Sequence, residues 1–231
     1  LLAYAANSIT PQLVADFKGG VYGKASALST FDNVLNHTRN GNATMVDADG
    51  LLKWAPHNLL SYSEQIDNAA WQKTLTATVT ANQAIAPDGT MTADLATTGG
   101  SLSSVVQTTV SADGQTKGIW ARSVSGTGTT AIGGHNSVEK YQVTLTEEWQ
   151  FFEYAVDTGE IGGTNLYAVD FRFGTLTECY LWGAHLYRSD LGGMVNNPAT
   201  GDSYVPTTDA ARYLPRENHH VYNGSAWVKE G

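Results

Sequence analysis

The sequence predicts an all-β chain, folded as an antiparallel sandwich or barrel. Three observations carry this reading. Only 15% of the 231 residues are charged, against an average of about 25%. Thr, Ser, Asn and Gly take their place, and these residues are poor helix formers that suit strands and turns. Second, apolar residues alternate with polar ones in short runs, each closed by a Gly- or Asp-containing turn. Third, no stretch between those runs sustains the 3.6-residue period of an amphipathic helix. With 42% hydrophobic residues the chain has enough apolar side chain for a core.

The chain separates by texture into residues 1–57, 58–188 and 189–231. In the first part, Thr10-Pro11 reads as an N-cap followed by proline at the first helical position, and Gly19-Gly20 as a stop. That pattern predicts a short helix from Thr10 to Lys18. Val46 ends a short strand, Ala48-Asp49-Gly50-Leu51 turns, and Leu52 opens the next. The middle part holds the main strands. Val79 and Ala81 alternate with Thr78, Thr80 and Asn82. Further runs are Val105 to Val110, Gly118 to Val124, Tyr141 to Leu145, Phe151 to Val156, Leu166 to Phe173 and Cys179 to Tyr187. Trp71 and Trp149 each open a strand pattern after a polar turn, as packing anchors do. The last part is rich in turn formers, Asn196-Asn197-Pro198 and Thr200-Gly201-Asp202, and ends in a hairpin from Val221 to Val228 around Asn223-Gly224. Trp54 and Trp227 lie in hairpins too small to fold alone, so both are expected to dock on a neighbouring domain or chain. The opening Leu1 to Ala6 lacks the basic lead-in of a signal peptide. The chain starts without Met and stops straight after a hairpin, which leads us to expect a longer polypeptide.

Several functions are disfavoured. A formal net charge of -9 repels phosphate backbones, so no nucleic-acid partner is expected. No run reaches 18 apolar residues, so no membrane span is expected. The single cysteine, Cys179, lies in an apolar strand and reads as a buried structural thiol. Glu147 and Glu148 adjoin Trp149, but adjacent strand residues face opposite ways, which does not suit the carboxylate pair of a glycosidase. No Gly-x-Ser-x-Gly elbow is present. The chain is therefore expected not to be an enzyme. None of the six histidines, 37, 57, 135, 185, 219 and 220, shows a zinc-type spacing.

Three ordered segments carry a resemblance. They are Asn58-Leu59-Leu60-Ser61-Tyr62-Ser63-Glu64-Gln65 with Asn68-Ala69-Ala70-Trp71, then Leu145-Thr146-Glu147-Glu148-Trp149-Gln150, then Leu181-Trp182-Gly183-Ala184-His185-Leu186 with Ser203-Tyr204-Val205-Pro206-Thr207-Thr208. Ala86 to Asp94 adds a matching turn. Together, over about residues 31–230, they resemble a domain of bacteriophage head-spike and tail-fibre proteins, with related copies in gene-transfer-agent particles. The resemblance implies a jelly-roll β-sandwich similar to carbohydrate-binding modules, flanked by small N- and C-terminal hairpin and loop modules. It further implies a virion structural protein that adheres to host surface polysaccharide, contacts other virion proteins and forms a homo-oligomer, commonly a trimer in fibres. Residues 1–57 would then be an anchor or stalk, 58–188 the carbohydrate-binding-like domain, and 189–231 a linker to further domains. The family offers no catalytic residues to carry over. The alternative is an accessory carbohydrate-binding module of a secreted bacterial glycosidase.

Two candidate sites follow. Acidic loop residues Asp88 and Asp94 are of the ligand type for a structural Ca²⁺. The other site comes from sorting strand faces. Ile119, Ala121, Leu181, Phe171 and Phe173 fall on one face, taken as core. Trp120, Arg122, Tyr180, Trp182 and Arg172 fall on the other. Sugar rings stack on aromatic faces while Arg hydrogen-bonds their hydroxyls, so the second face is a candidate saccharide surface. The same aromatics equally suit cover by residues 1–57, by 189–231 or by another subunit.

Overall fold

A computed structural model describes residues 13–16, 21–24, 27–29, 34, 39–100, 102–109, 111–195, 204–216 and 219–230. The chain divides into two compact units, residues 1–55 with 213–231, and residues 56–212. Among the described residues no helix is long and apolar enough to cross a membrane.

The smaller unit opens with β1 (Leu13–Asp16), β2 (Val21–Lys24) and β3 (Ala27–Ser29), a three-stranded antiparallel meander. This corrects the helix expected from Thr10 to Lys18: Leu13–Asp16 is a strand, and residues 10–12 and 17–18 lie outside the described ones. The Thr-Pro start signal acts locally and is weak. Four cross-strand pairs with Val21–Lys24 override it. Strands β4 (Thr44–Val46) and β5 (Leu52–Trp54) form the expected hairpin. The Asp47 carboxylate closes its turn, accepting from the amides of Asp49 and Leu51 at 3.0 and 2.9 Å, with Gly50 at φ +78°. The Leu51 amide, more than any other group, holds that carboxyl below its usual range.

The larger unit is the sandwich. Its strands are β6 (His57–Asn58), β7 (Gln72–Lys73), β8 (Ala77–Ala84), β9 (Ala93–Thr98), β10 (Ser104–Gln107), β11 (Gln115–Ser123), β12 (Gly128–Gly133), β13 (Gln142–Leu145), β14 (Gln150–Ala155), β15 (Leu166–Asp170) and β16 (Glu178–Arg188), and β17 (Arg212–Tyr213) falls at the boundary of the two units. One five-stranded sheet runs β13-β12-β15-β10-β7. The other runs β14-β11-β16-β9-β8. Their pairings are antiparallel. The chain repeatedly crosses from one sheet to the other, so strands distant in sequence lie side by side, as in a jelly roll.

Period-two alternation builds the core. Ile119 and Ala121 of β11 and Cys179 and Leu181 of β16 point inward and are fully buried, together with Trp71, Leu145 and Leu166. The Trp71 indole also donates to the Tyr62 carbonyl at 2.9 Å, satisfying its one polar group. Cys179 is a buried thiol whose pKa burial pushes up. Lys117 shares the inward face. Its ammonium donates to the carbonyls of Gly163 and Asn165 at 2.8 and 3.0 Å and lies 5.0 Å from the Tyr141 ring centre. Burial brings its pKa down to about 8.

A bulge breaks the β11–β16 ladder. Gly118 pairs with His185, yet Trp120 pairs with Trp182. The extra β16 residue is accommodated at Gly183, which has φ +65°. Beside it, Asn58 ties in a segment from far along the chain. Its side-chain amide donates to Ala184 and Val205 carbonyls at 2.9 and 3.0 Å and accepts from the amides of Leu60 and Leu186. Thr207 donates its amide to the Ser63 hydroxyl at 2.8 Å. Residues 204–207 thus pack as part of the sandwich unit.

The chain closes with the hairpin of β18 (His220–Tyr222) and β19 (Trp227–Lys229), whose turn holds Gly224 at φ +99°. It belongs to the smaller unit. Val46 donates its amide to His219 Nδ1 at 3.0 Å. The Trp227 indole sits so close to Gly50 that a Cβ there would meet it at 2.4 Å. The two small hairpins expected to dock elsewhere therefore pack on one another.

Candidate functional site

Strands β11 and β16 place Trp120 opposite Trp182 and Arg122 opposite Tyr180. Direct cross-strand neighbours have adjacent side chains on one face, so four of the five residues expected at a saccharide surface do come together. Arg122 is the centre of this strip. Its guanidinium lies 4.6 Å from the Tyr180 ring centre and 5.3 Å from that of Trp149, a cation-π sandwich. One terminal nitrogen donates to the Glu147 carbonyl at 3.2 Å. Its buried Nε has no hydrogen-bond partner among the described residues. Trp120 stacks obliquely on Phe151 of β14 with ring centres 5.3 Å apart. Trp120, Arg122, Trp149 and Tyr180 are all half-buried, each leaving part of its surface to solvent.

Trp182 departs from the expectation. It is 4% exposed. The turn between β8 and β9 covers it, with the indole N–H donating to the Thr92 hydroxyl at 3.0 Å. Tyr204 covers it from the other side at a ring-centre distance of 4.8 Å. Ala84, Ala86 and Ala93 complete a second, smaller apolar cluster around it. Trp182 is thus a packing residue beneath the strip. Trp149 joins the same cluster and donates its indole N–H to the Ile85 carbonyl at 3.1 Å.

Two further residues lie elsewhere than alternation alone predicts. Arg172 does not lie beside Trp120. It follows β15, in the opposite sheet, where its Nε bonds the Asp170 carboxylate at 2.8 Å and Nη1 lies 2.7 Å from His135 Nε2. Phe173, expected in the core, is 86% exposed. Arg172 is set apart from Trp120 because β15 belongs to the other sheet, and Phe173 leaves the core because the strand ends before it. Strand β15 ends at Asp170, and the chain then turns with Phe173 at φ +57°, so alternation carries no information past that point. Phe171 keeps its inward direction and is buried.

The Glu147-Glu148 pair lies in the exposed turn between β13 and β14. One Glu147 carboxylate oxygen accepts from the Gly126 amide at 2.6 Å, closing the neighbouring turn. Of the calcium candidates, Asp88 sits in an exposed turn and accepts from the amide and hydroxyl of Thr90 at 2.9 and 2.7 Å. Asp94 is buried in β9. Its two oxygens accept backbone amides of Asn82 and Asp67 at 3.0 and 3.1 Å. Burial raises its pKa to about 6. Among the described residues no three or more His, Cys, Asp or Glu side chains gather where they could hold a metal ion together.

Behind the strip, on the same outer face of β16, His185 is fully buried, with Tyr204 and Tyr187 at ring-centre distances of 5.6 and 5.4 Å. Its Nε2 donates to the His57 carbonyl at 2.9 Å. Burial lowers its pKa to about 3, so it is neutral at ordinary pH.

No protein-family model and no curated protein matches the chain. Solved structures similar to it include the enzymatically active domain of tailspike protein 4 from bacteriophage CBA120, at TM-score 0.35 and 15% identity, over 57% of this chain and 21% of that one. The match thus spans about a fifth of that tailspike chain. A family 11 carbohydrate-binding module from Clostridium thermocellum, solved with a β-1,3-1,4-mixed-linked tetrasaccharide, is similar at TM-score 0.36 and 12% identity, over 58% of this chain and 96% of that one. The family 11 module of the Clostridium thermocellum cellulase Lic26A-Cel5E is similar at TM-score 0.32 and 12% identity, over 69% and 99%. A bacteriophage tailspike domain and carbohydrate-binding modules are thus among the solved β-folds that this chain is similar to.

Proposed function

We propose that this chain is a non-catalytic component of a phage-like particle that holds host surface polysaccharide against the Arg122 strip. The observation that carries this reading is the setting of Arg122. Its guanidinium is fixed between two aromatic rings on an outward sheet face, with a donor left unused. A pyranose ring stacks its apolar face on Trp120 or Tyr180, and guanidinium N–H groups reach its hydroxyls. A buried donor without a partner is uncommon enough to want an explanation, and a ligand hydroxyl or a bound water supplies one. The particle context rests on the three ordered segments from Asn58 to Thr208. A homo-oligomer would turn weak single-site contacts into firm attachment.

The test is retention of purified protein on an array that includes capsular polysaccharides of candidate hosts. Trp120→Ala removes one stacking platform and should weaken retention roughly tenfold. Retention that ignores this substitution would sink the assignment to the strip. Incubation with a retained polysaccharide should release no new reducing ends, and their appearance would overturn the non-catalytic reading.

A further inference from the structure

The opposite sheet carries a groove that the strip does not explain. It has a volume of about 320 Å³ and is lined by β12, β13 and the turn after β15, chiefly Thr130, Asn136, Gln142, Thr144, Arg172 and Phe173. One fully buried carboxylate organises it. Asp170 accepts the Asn136 amide on Oδ2 at 3.0 Å, and the Arg172 amide and Nε on Oδ1 at 3.1 and 2.8 Å. The Asn136 carbonyl accepts from the Gln142 side chain at 2.9 Å. The loop from β12 and the turn from β15 are therefore fixed to each other at the floor of the groove.

Two residues there make no sense for folding alone. Asn136 is 4% exposed, and neither its side-chain oxygen nor its nitrogen has a hydrogen-bond partner among the described residues. Burying an amide bare is costly. Phe173, at the rim, combines an almost fully exposed ring with a left-handed backbone that non-glycine residues seldom adopt. It is held there by Gly174, whose backbone presses so tightly on β12 that a Cβ would lie 2.4 Å from the Thr129 carbonyl oxygen. A preformed concavity, one aromatic platform, and a bare amide with one donor side and one acceptor side form a recognisable set.

We infer that this groove is a saccharide-binding site, separate from the Arg122 strip and selective for uncharged sugars. The ring of Phe173 stacks on a pyranose face. The Asn136 amide pairs with two neighbouring polar groups of the sugar, and the Gln142 and Thr144 side chains serve further hydroxyls. Selection for neutral ligands follows from the charges. Arg172 is the one cation among these lining residues, and Asp170 already neutralises it at 2.8 Å. The chain as a whole carries -9, so a polyanionic glycan gains nothing here.

The experiment is affinity electrophoresis and titration calorimetry of the full chain. The probes are neutral polysaccharides (a mixed-linkage β-glucan, a dextran, a galactomannan) and polyanionic ones (alginate, hyaluronate). At least one neutral polymer should bind, with an affinity that changes little between about 50 and 500 mM salt. Phe173→Ala should weaken it roughly tenfold or more, with an unchanged melting temperature because the ring packs on little. Asn136→Ala should weaken it as well. Three results overturn the inference: no neutral polymer binds; only polyanions bind, with affinity lost at high salt; or binding survives both substitutions, including the case in which Trp120→Ala alone abolishes it.

Discussion

At the scale of single residues, two buried ionisable groups set opposite pH dependences. His185 has a pKa near 3 in the folded chain against an ordinary 6.5, because burial disfavours its charged form. The unfolded chain binds the proton more tightly between those values, so the His185 contribution is complete above about pH 6.5 and fades as pH falls towards 3. Asp94 has the reverse sign. Burial lifts it from 3.8 to about 6, so the folded chain holds the extra proton, and its contribution is complete below 3.8 and is lost as pH rises through 6. Between about pH 4 and 6 the two slopes oppose one another. His185→Gln keeps a donor for the His57 carbonyl and removes the titration. Relative to the parent, this variant should gain stability as pH falls from 6.5 to 4, by up to about 1.4 kcal/mol per pH unit. Urea midpoints at several pH values read this out, and parallel curves for variant and parent would refute it.

At the scale of elements, close backbone approaches decide which positions tolerate change. Gly163 lies in the turn between β14 and β15, where an added Cβ would fall 1.6 Å from the Asp157 carbonyl oxygen. Its own carbonyl is an acceptor for buried Lys117. Gly163→Ala should therefore cost about 1–3 kcal/mol in chemical denaturation, whereas Gly41→Ala, with nothing within 4 Å, should stay within about 0.5 kcal/mol. Elements also mark how far the sequence could be read. Alternation in β11 and β16 separated Trp120 and Arg122 from Ile119 and Ala121, and those assignments describe the real faces. Strand β12 carried no such signal, because Gly-Thr-Thr-Ala-Ile-Gly has little apolar contrast and follows a Gly-rich turn. The groove beside β12 therefore leaves no trace in the alternation, and Phe173 lies past the end of β15, where alternation stops. The burial of Trp182 was equally hidden. Its cover comes from Thr92 and Tyr204, and the bulge that steers β16 rests on the freedom of one glycine, Gly183.

At the scale of the whole molecule, the two units differ in how much apolar surface they bury. The main core is drawn from residues between Leu60 and Leu186, all within the sandwich. In the smaller unit the fully or nearly buried apolar side chains are Met45, Trp54 and Ala55 among the described residues. Its remaining stability comes from short ladders, turn carboxylates such as Asp47, and the Trp227 contact with Gly50. Units with such unequal cores are expected to unfold in separate transitions. Calorimetry should resolve a weak low-temperature transition that Trp227→Ala shifts further down, followed by a larger one that it leaves in place. A single transition moved as a whole by Trp227→Ala would contradict this. The length of that core also explains why the sandwich was legible from alternation, while in the small unit turn residues mark the two hairpins and nothing marks the meander of β1 to β3. Strong alternation needs a large buried face to enforce it, and three- or four-residue strands offer none.

The position of Asp170 has a consequence for variation. Because this one interior carboxylate anchors both loops of the groove from below, the side chains that look outward without such a bond, Thr144 and Phe173, are relieved of any duty in folding. Adjacent Val143 and Leu145 keep β13 on the core. Such an arrangement is a chassis with exchangeable fittings: ligand preference can drift, or be selected in a library, at these two rim positions while the scaffold beneath is left untouched.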